Sequence, residues 1–271
     1  MPTFCNHTFF FKYQFQPNNT YQCGFDTCNH HLLYTILIFI GRAVFSFKKA
    51  LPARGTLAYA SSLGNAGYMC IPFLQILMPG NTEIILYAST AVVAFNLVAW
   101  TLGNYALTGD KSFISIKKII FNPPTFTFIL VLPLFIFNLN FIRFPILSGV
   151  AKIASLFNNL IGPLAMTLLG IKFAEIKLKD LLSDGKTYIS AAIKLILSPV
   201  IALSLVLLAG LFVDTDIIKL NIVALGAMPT ATNLMMFCSL YKKDTALAAR
   251  LILVSTLLSI VTIPLALEFL L

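Results

Sequence analysis

The chain has 271 residues, 58% of them hydrophobic and only 11% charged, with a mean hydropathy of +0.88. A soluble domain of this length needs far more surface charge, so the composition indicates an all-α, polytopic membrane protein whose first partner is the lipid bilayer. The net charge of +9 sits in short clusters between apolar runs, not on one solvated face. That excludes nucleic acid as a partner and follows the positive-inside rule.

Residues 1–31 stand apart. "FFFKYQFQPNNTYQ" mixes aromatic and polar residues, is too interrupted for a span and lacks the cleavage site of a signal peptide. It reads as an atypical terminus, disordered or mis-specified. Cys23, Cys28, His30 and His31 in "CGFDTCNHH" lack the spacing of a zinc finger, and no second ligand pair follows. No metal and no cofactor is expected.

Apolar runs then follow at 32–47, 57–78, 83–106, 124–141, 147–171, 187–211, 217–240 and 245–270, each near the ~20 residues that a bilayer core requires. This gives about eight transmembrane helices. Residues 32–109 hold three helices of a first repeat, 110–123 form a cytoplasmic linker, and 124–271 hold five helices of a second repeat. Alternate loops differ sharply in charge. One set carries Lys48, Lys49 and Arg54; Lys111, Lys117 and Lys118; Lys172, Lys177, Lys179 and Lys186; and Lys242 and Lys243. The other set has only Arg143, Lys152 and Lys219. The basic set is therefore cytoplasmic, with both chain ends outside a plasma membrane, in a bacterium the inner one.

Two spans contain helix breakers. "SSLGNAGYMCIPFLQILMPG" places Gly64, Gly67 and Pro72 around Asn65, and "NIVALGAMPTATNLMMFCSLYKKD" places Gly226 and Pro229 before Thr230, Thr232 and Asn233. Proline lacks an amide hydrogen and displaces the preceding turn, so carbonyls near Leu225 and Gly226 lose their partners. Non-helical backbone at membrane depth survives only where protein or a wet cavity covers it. The two spans are the second and the seventh of the count, so they run in opposite directions, as in an inverted repeat whose broken helices cross at the midplane. Half-helix N-termini at such a crossing favour an anion.

These motifs resemble the auxin efflux carrier family of membrane transport proteins. Asn65 to Pro72 fits its N-x-G-x-x-G-x-P pattern, with Cys70 where the family usually has glycine. "IGPLAMTLLGIKFA", "AMPTATNLMMFCSLY", "STLLSIVTIPLAL" and "NPP" resemble its later elements. The resemblance covers about residues 33–271. It implies ten helices in two inverted groups of five, a crossover between the fourth and ninth, and elevator-like motion of a transport part against a scaffold. It also implies substrates such as auxin or bacterial dicarboxylates, with Asn65, Pro72 and Pro229 matching the crossover. Two helices of the family precede 32–47, so the chain reads as N-terminally truncated or altered.

Other polar residues were weighed in turn. Lys194 lies in "AAIKLILSPV", close enough to the cytoplasmic end to snorkel, with a coupling role as the alternative. Asn96, Asn158 and Asn159 are helical glue or cavity lining, and Asn96 is the site candidate because its span follows the Asn65 break. Ser255, Thr256 and Ser259 are expected to bond to carbonyls one turn back. All three histidines fall within the first 31 residues and no acid is buried in a span, which favours uniport, drive by the membrane potential, or coupling residues in the missing helices. No nucleophile elbow or Walker loop marks an enzyme. The expected function is a carrier of small organic anions, mostly outward, as a monomer or homodimer. Its substrate would be bound by Asn65, Gly64, Gly67, Pro72, Asn96, Pro229, Thr230, Thr232 and Asn233. The alternatives are a non-transporting relative or ligand-binding subunit, and a carrier like the bile-acid/sodium symporters.

Overall fold

A computed structural model of the chain describes residues 17–47, 52–110, 184–209 and 216–270, together with isolated helical positions between 149 and 174. The expected linker, the span at 124–141, most of 147–171 with Asn158 and Asn159, and several of the loop lysines lie outside the described residues.

Helix α1 covers Pro17–Val44. Proline suits a first helical position because its missing amide hydrogen would have no partner there. The sequence reading began this span at 32, and the helix instead reaches back through "NNTYQCGFDTCNHH". The polar residues of that stretch are tolerated because they turn inward to partners: Asp26 and His30 are fully buried beside Thr90 and Asn221, and Asn29, 7% exposed, bonds back to the Phe25 carbonyl. Cys28 and His31 face outward while Cys23 is half-buried.

The second span is broken as expected. Helix α2, Arg54–Ser62, stops at Leu63, and α3, Ala66–Leu77, resumes with a π-turn at Ala66–Cys70. Helix α4 follows through Thr82–Val98, a π-turn at Ala99–Gly103, and Asn104–Thr108. Its start is fixed by Asn81, whose side chain accepts from the amides of Glu83 at 2.9 Å and Ile84 at 3.2 Å. Helix α5 comprises Gly185–Ala192, a π-turn at Ile193–Leu197, and Ser198–Ala209, with Asp184 capping it through the Lys186 amide. The second broken span is α6, Asp216–Ala227, and α7, Asn233–Leu240. Helix α8 closes the described chain at Thr245–Leu270.

Three of these stretches, Glu83–Thr108, Gly185–Leu208 and Thr245–Phe269, are long and apolar enough to cross a membrane, matching the expected spans at 83–106, 187–211 and 245–270. The surface has the polarity that lipid demands. Ile76 is 80% exposed and Phe269 79%, whereas Asp26, His30, Lys194 and Asn221 are fully buried. A soluble fold reverses that distribution. In α8, Ser255 and Thr256 bond back to the Ile252 carbonyl and Ser259 to that of Thr256, as the sequence suggested. Arg42 at the end of α1 donates to the Ala106 carbonyl, and Arg54 at the start of α2 donates to that of Arg42. One end of the bundle is therefore basic.

Helix α5 lies against α6, and Gly226 lets it approach. A Cβ added to Gly226 would lie 2.9 Å from the Ala202 Cβ and 3.1 Å from the Pro199 Cα. Gly226→Ala is therefore expected to lower the melting temperature of the detergent-solubilised protein, with an overpacking cost of about 1–3 kcal/mol. Adding Ala202→Gly should restore most of the loss. A Gly226→Ala protein as stable as the wild type would show that the contact is not tight.

Candidate functional site

The two interruptions meet. Asn65 donates its amide hydrogen to the Pro229 carbonyl at 2.8 Å, and the Ala231 amide donates to the Leu63 carbonyl at 2.9 Å. This pair of bonds forms an antiparallel bridge between Gly64 and Thr230, so the segments run in opposite directions where they cross. Each break supplies what the other lacks. In a water-poor interior an unpaired backbone group costs about 1–3 kcal/mol, and the exchange removes two donors and two acceptors from that deficit.

The remaining orphaned groups are satisfied by side chains. The Thr230 hydroxyl donates to the Ala60 carbonyl at 2.9 Å, near the end of α2, and the Thr230 amide donates to the Ser255 hydroxyl of α8 at 3.1 Å. The Gly226 carbonyl, which Pro229 deprives of a helical partner, accepts from the Ser198 hydroxyl at 2.8 Å and from Lys194 Nζ at 3.1 Å. Lys194 also donates to Ser198 at 3.2 Å.

The expected snorkelling of Lys194 is thus overturned. The side chain is fully buried and points inward to the crossing. The cause is the half-helix itself: α6 ends at Ala227, its last carbonyls carry partial negative charge, and a cation at that end is favourable. The π-turn at 193–197 inserts an extra residue into α5 at that point; such turns occur often at functional sites. Gly64 gives the ammonium its room, since a Cβ there would lie 3.0 Å from both Cε and Nζ of Lys194. No carboxylate forms an ion pair with Lys194 among the described residues; the one close pair is His30 with Asp26.

The sequence-derived residues fall into distinct places. Gly64, Pro229 and Thr230 build the crossing, and their polar groups are already engaged in it. Asn65 is 6% exposed, and its side-chain amide makes no hydrogen bond among the described residues. Gly67 borders open space, and Thr232 is half-buried beside it in sequence order after the bridge. Asn233 accepts from the Tyr59 hydroxyl at 3.1 Å, at the edge of a ring cluster in which Phe237 packs against Tyr59, Trp100 and Tyr241. Pro72 is exposed on the outer face of α3, in the first turn after the π-turn. Asn96 is half-buried on α4 without a side-chain hydrogen bond among the described residues.

A second buried polar cluster was missed by sequence reading. Asp26 and His30 of α1, Thr90 of α4 and Asn221 of α6 converge. Asn221 Nδ2 lies 3.1 and 3.2 Å from the two Asp26 oxygens and 3.2 Å from His30 Nε2, and the Thr90 hydroxyl donates to Asp26 at 2.8 Å. The expectation that no acid or histidine is buried in a span is therefore corrected. The i, i+4 spacing of Asp26 and His30 on one helical face was the available signal.

Comparison with curated proteins gives no match, and neither does comparison with solved structures. A protein-family profile described as "Membrane transport protein" matches residues 18–267, nearly the whole chain, and its start takes in the polar half of α1 that the resemblance had left out. By that match, and with an all-helical fold in which two broken helices cross, the chain belongs to the auxin efflux carrier family of membrane transport proteins.

Proposed function

We propose that the protein carries small organic anions, mono- or dicarboxylates, and that the carboxylate binds at the crossing of the two broken spans. The observation that carries this reading is the charge balance there. The C-terminal carbonyls of the half-helices are covered, Gly226 by Lys194 and Ser198 and Ala60 by Thr230. The N-terminal ends of α3 and α7 keep their partial positive charge, and the Lys194 ammonium adds a full one. A site built in this way lacks one thing, a negative charge. The Asn65 amide can orient the guest, and Gly67 leaves space beside it.

The amide hydrogens of Asn65, Thr230 and Ala231 are used within the fold. They hold the crossing rather than the substrate. Binding therefore falls to Asn65 Nδ2, to the turn at Thr232 and Asn233, and to the field of Lys194. The mobile part carries the broken spans, and they move as one body because the backbone bridge ties them together. The basic end that holds Arg42 and Arg54 faces the cytoplasm. With no coupling ion, a cytoplasm-negative potential drives an anion outward, by ~2.3 kcal/mol per charge per 100 mV.

Purified protein in liposomes should exchange internal for external radiolabelled malonate. Asn65→Ala should abolish that exchange with folding intact by size-exclusion profile. Lys194→Met should weaken apparent affinity by about tenfold to a hundredfold, the loss of one charge-assisted contact. Exchange of malonate, benzoate and indole-3-acetate at protein-free rates by the wild type would overturn the organic-anion reading.

A further inference from the structure

We infer that Asp26 and His30 form a proton-binding site through which the carrier couples substrate movement to a proton. The coupling rests on the carrier reading above; the proton site does not.

Both side chains are fully buried, and His30 Nε2 lies 3.4 Å from Asp26 Oδ1. The hydrogens at hand do not satisfy the acceptors. Asn221 Nδ2 has two, and three acceptors surround it: Asp26 Oδ1, Asp26 Oδ2 and His30 Nε2, all between 3.1 and 3.2 Å. The single hydrogen of Thr90 is shared between Asp26 Oδ2 and the Tyr87 carbonyl, each at 2.8 Å. A neutral His30 either meets Asp26 Oδ1 lone pair to lone pair, with its hydrogen on Nδ1, or donates to it from Nε2; in both tautomers the buried carboxylate keeps its full charge. One proton added to the pair neutralises that carboxylate, which has no other cation within ion-pair distance among the described residues.

Among the described residues, no other charged side chain forms an ion pair with Asp26. Cys23 and Tyr34 on α1, Tyr87 on α4 and Cys70 on α3 lie within the field of Asp26, and all four are neutral acids in their ordinary state. Glu83 acts on Tyr87 and Lys194 on Cys70, each one residue removed. Helix α5 faces α1 with Ser198–Ala209, which contains no titratable residue. His30 Nδ1, Tyr34 Oη and Asn221 Oδ1 are buried without a hydrogen-bond partner. An imidazole in direct contact suits a proton better than a sodium ion, which needs five or six oxygens and is repelled by a protonated ring. Here Asn221 presents its NH2 side to the carboxylate.

The link to transport is α6. Asn221 stands on the half-helix that ends at the crossing, five residues before Gly226 and therefore about 7.5 Å along the axis. Protonating the pair changes how strongly Asn221 is held to α1, and so changes the hold on the half-helix whose end Lys194 caps. A proton that travels with a monoanion also cancels its charge, so flux then follows the two concentration gradients instead of the potential.

Two measurements test this on the full-length protein in liposomes. In infrared difference spectra between mildly acidic and mildly alkaline medium, the wild type should show a change in carboxyl and imidazole bands. Asp26→Asn should remove the carboxylate part and His30→Gln the imidazole part. Spectra unchanged by both substitutions overturn the site. In vesicles loaded with a pH-sensitive dye, a malonate gradient should drive proton movement by the wild type. Asp26→Asn should reduce the protons moved per malonate to the level of protein-free vesicles. Malonate flux without proton movement, or flux that follows a sodium gradient and ignores pH, overturns the coupling and leaves the organic-anion reading standing. If malonate, benzoate and indole-3-acetate all fail to move, that reading falls, and the infrared result alone decides the proton site.

Discussion

The structure depends on two backbone hydrogen bonds exchanged between Leu63–Asn65 and Pro229–Ala231. Neither broken span is viable alone in hydrocarbon, because each leaves peptide groups exposed where no water can reach them. Placed across each other they form the smallest possible piece of antiparallel sheet, and the deficit of one becomes the acceptor of the other. Everything nearby is arranged to complete this exchange. Ser255 takes the Thr230 amide, Thr230 covers Ala60, and Lys194 with Ser198 covers Gly226. The result is a region of irregular chain that is rigid, since moving either strand breaks bonds in both.

That rigidity separates two roles that breakers and their neighbours might share. Gly64, Thr230 and Pro229 are architectural; Gly64 is further constrained by the ammonium of Lys194 beneath it. Asn65 contributes on both sides, with its backbone in the bridge and its side chain uncommitted. The anion site proposed above, with one free amide, one buried cation and two helix N-termini, is lightly equipped with direct contacts. A carrier must release what it binds, so a strong field with few fixed ligands suits the task better than a tight cage.

Much of this was legible in the sequence. The break positions, their opposed directions, and the loss of a partner by Gly226 all follow from glycine and proline chemistry and from counting spans. The α8 hydroxyls that fold back on their own helix were readable in the same way. Two features were not. Lys194 was read as snorkelling because a linear sequence gives only its distance from the span's end. It does not reveal that an orphaned carbonyl 32 residues away offers a better partner than the interface. The polar half of α1 was read as non-helical because hydropathy counts Asn, Asp and His as exposed. Asp26 lies 195 residues from Asn221, and only the fold makes them neighbours.

The two buried charges are held apart. Cys70 is 1% exposed and lies within the field of both Lys194 and Asp26, which form no ion pair with each other among the described residues. If Asp26 and Lys194 touched, they would neutralise each other in an ion pair whose breaking leaves a buried charge and costs about 3–5 kcal/mol. The crossing would then have no net attraction for an anion, and the carboxylate would have no reason to take a proton. Kept unpaired, each charge retains its need for a partner: in the reading proposed above, the ammonium for an anion and Asp26, with His30, for a proton. The two are joined through α6, which carries both Asn221, against Asp26, and the Gly226 carbonyl, which accepts from Lys194. On the proposed reading, this separation is what would let two ligands of opposite sign be held in one body without first cancelling in the protein itself.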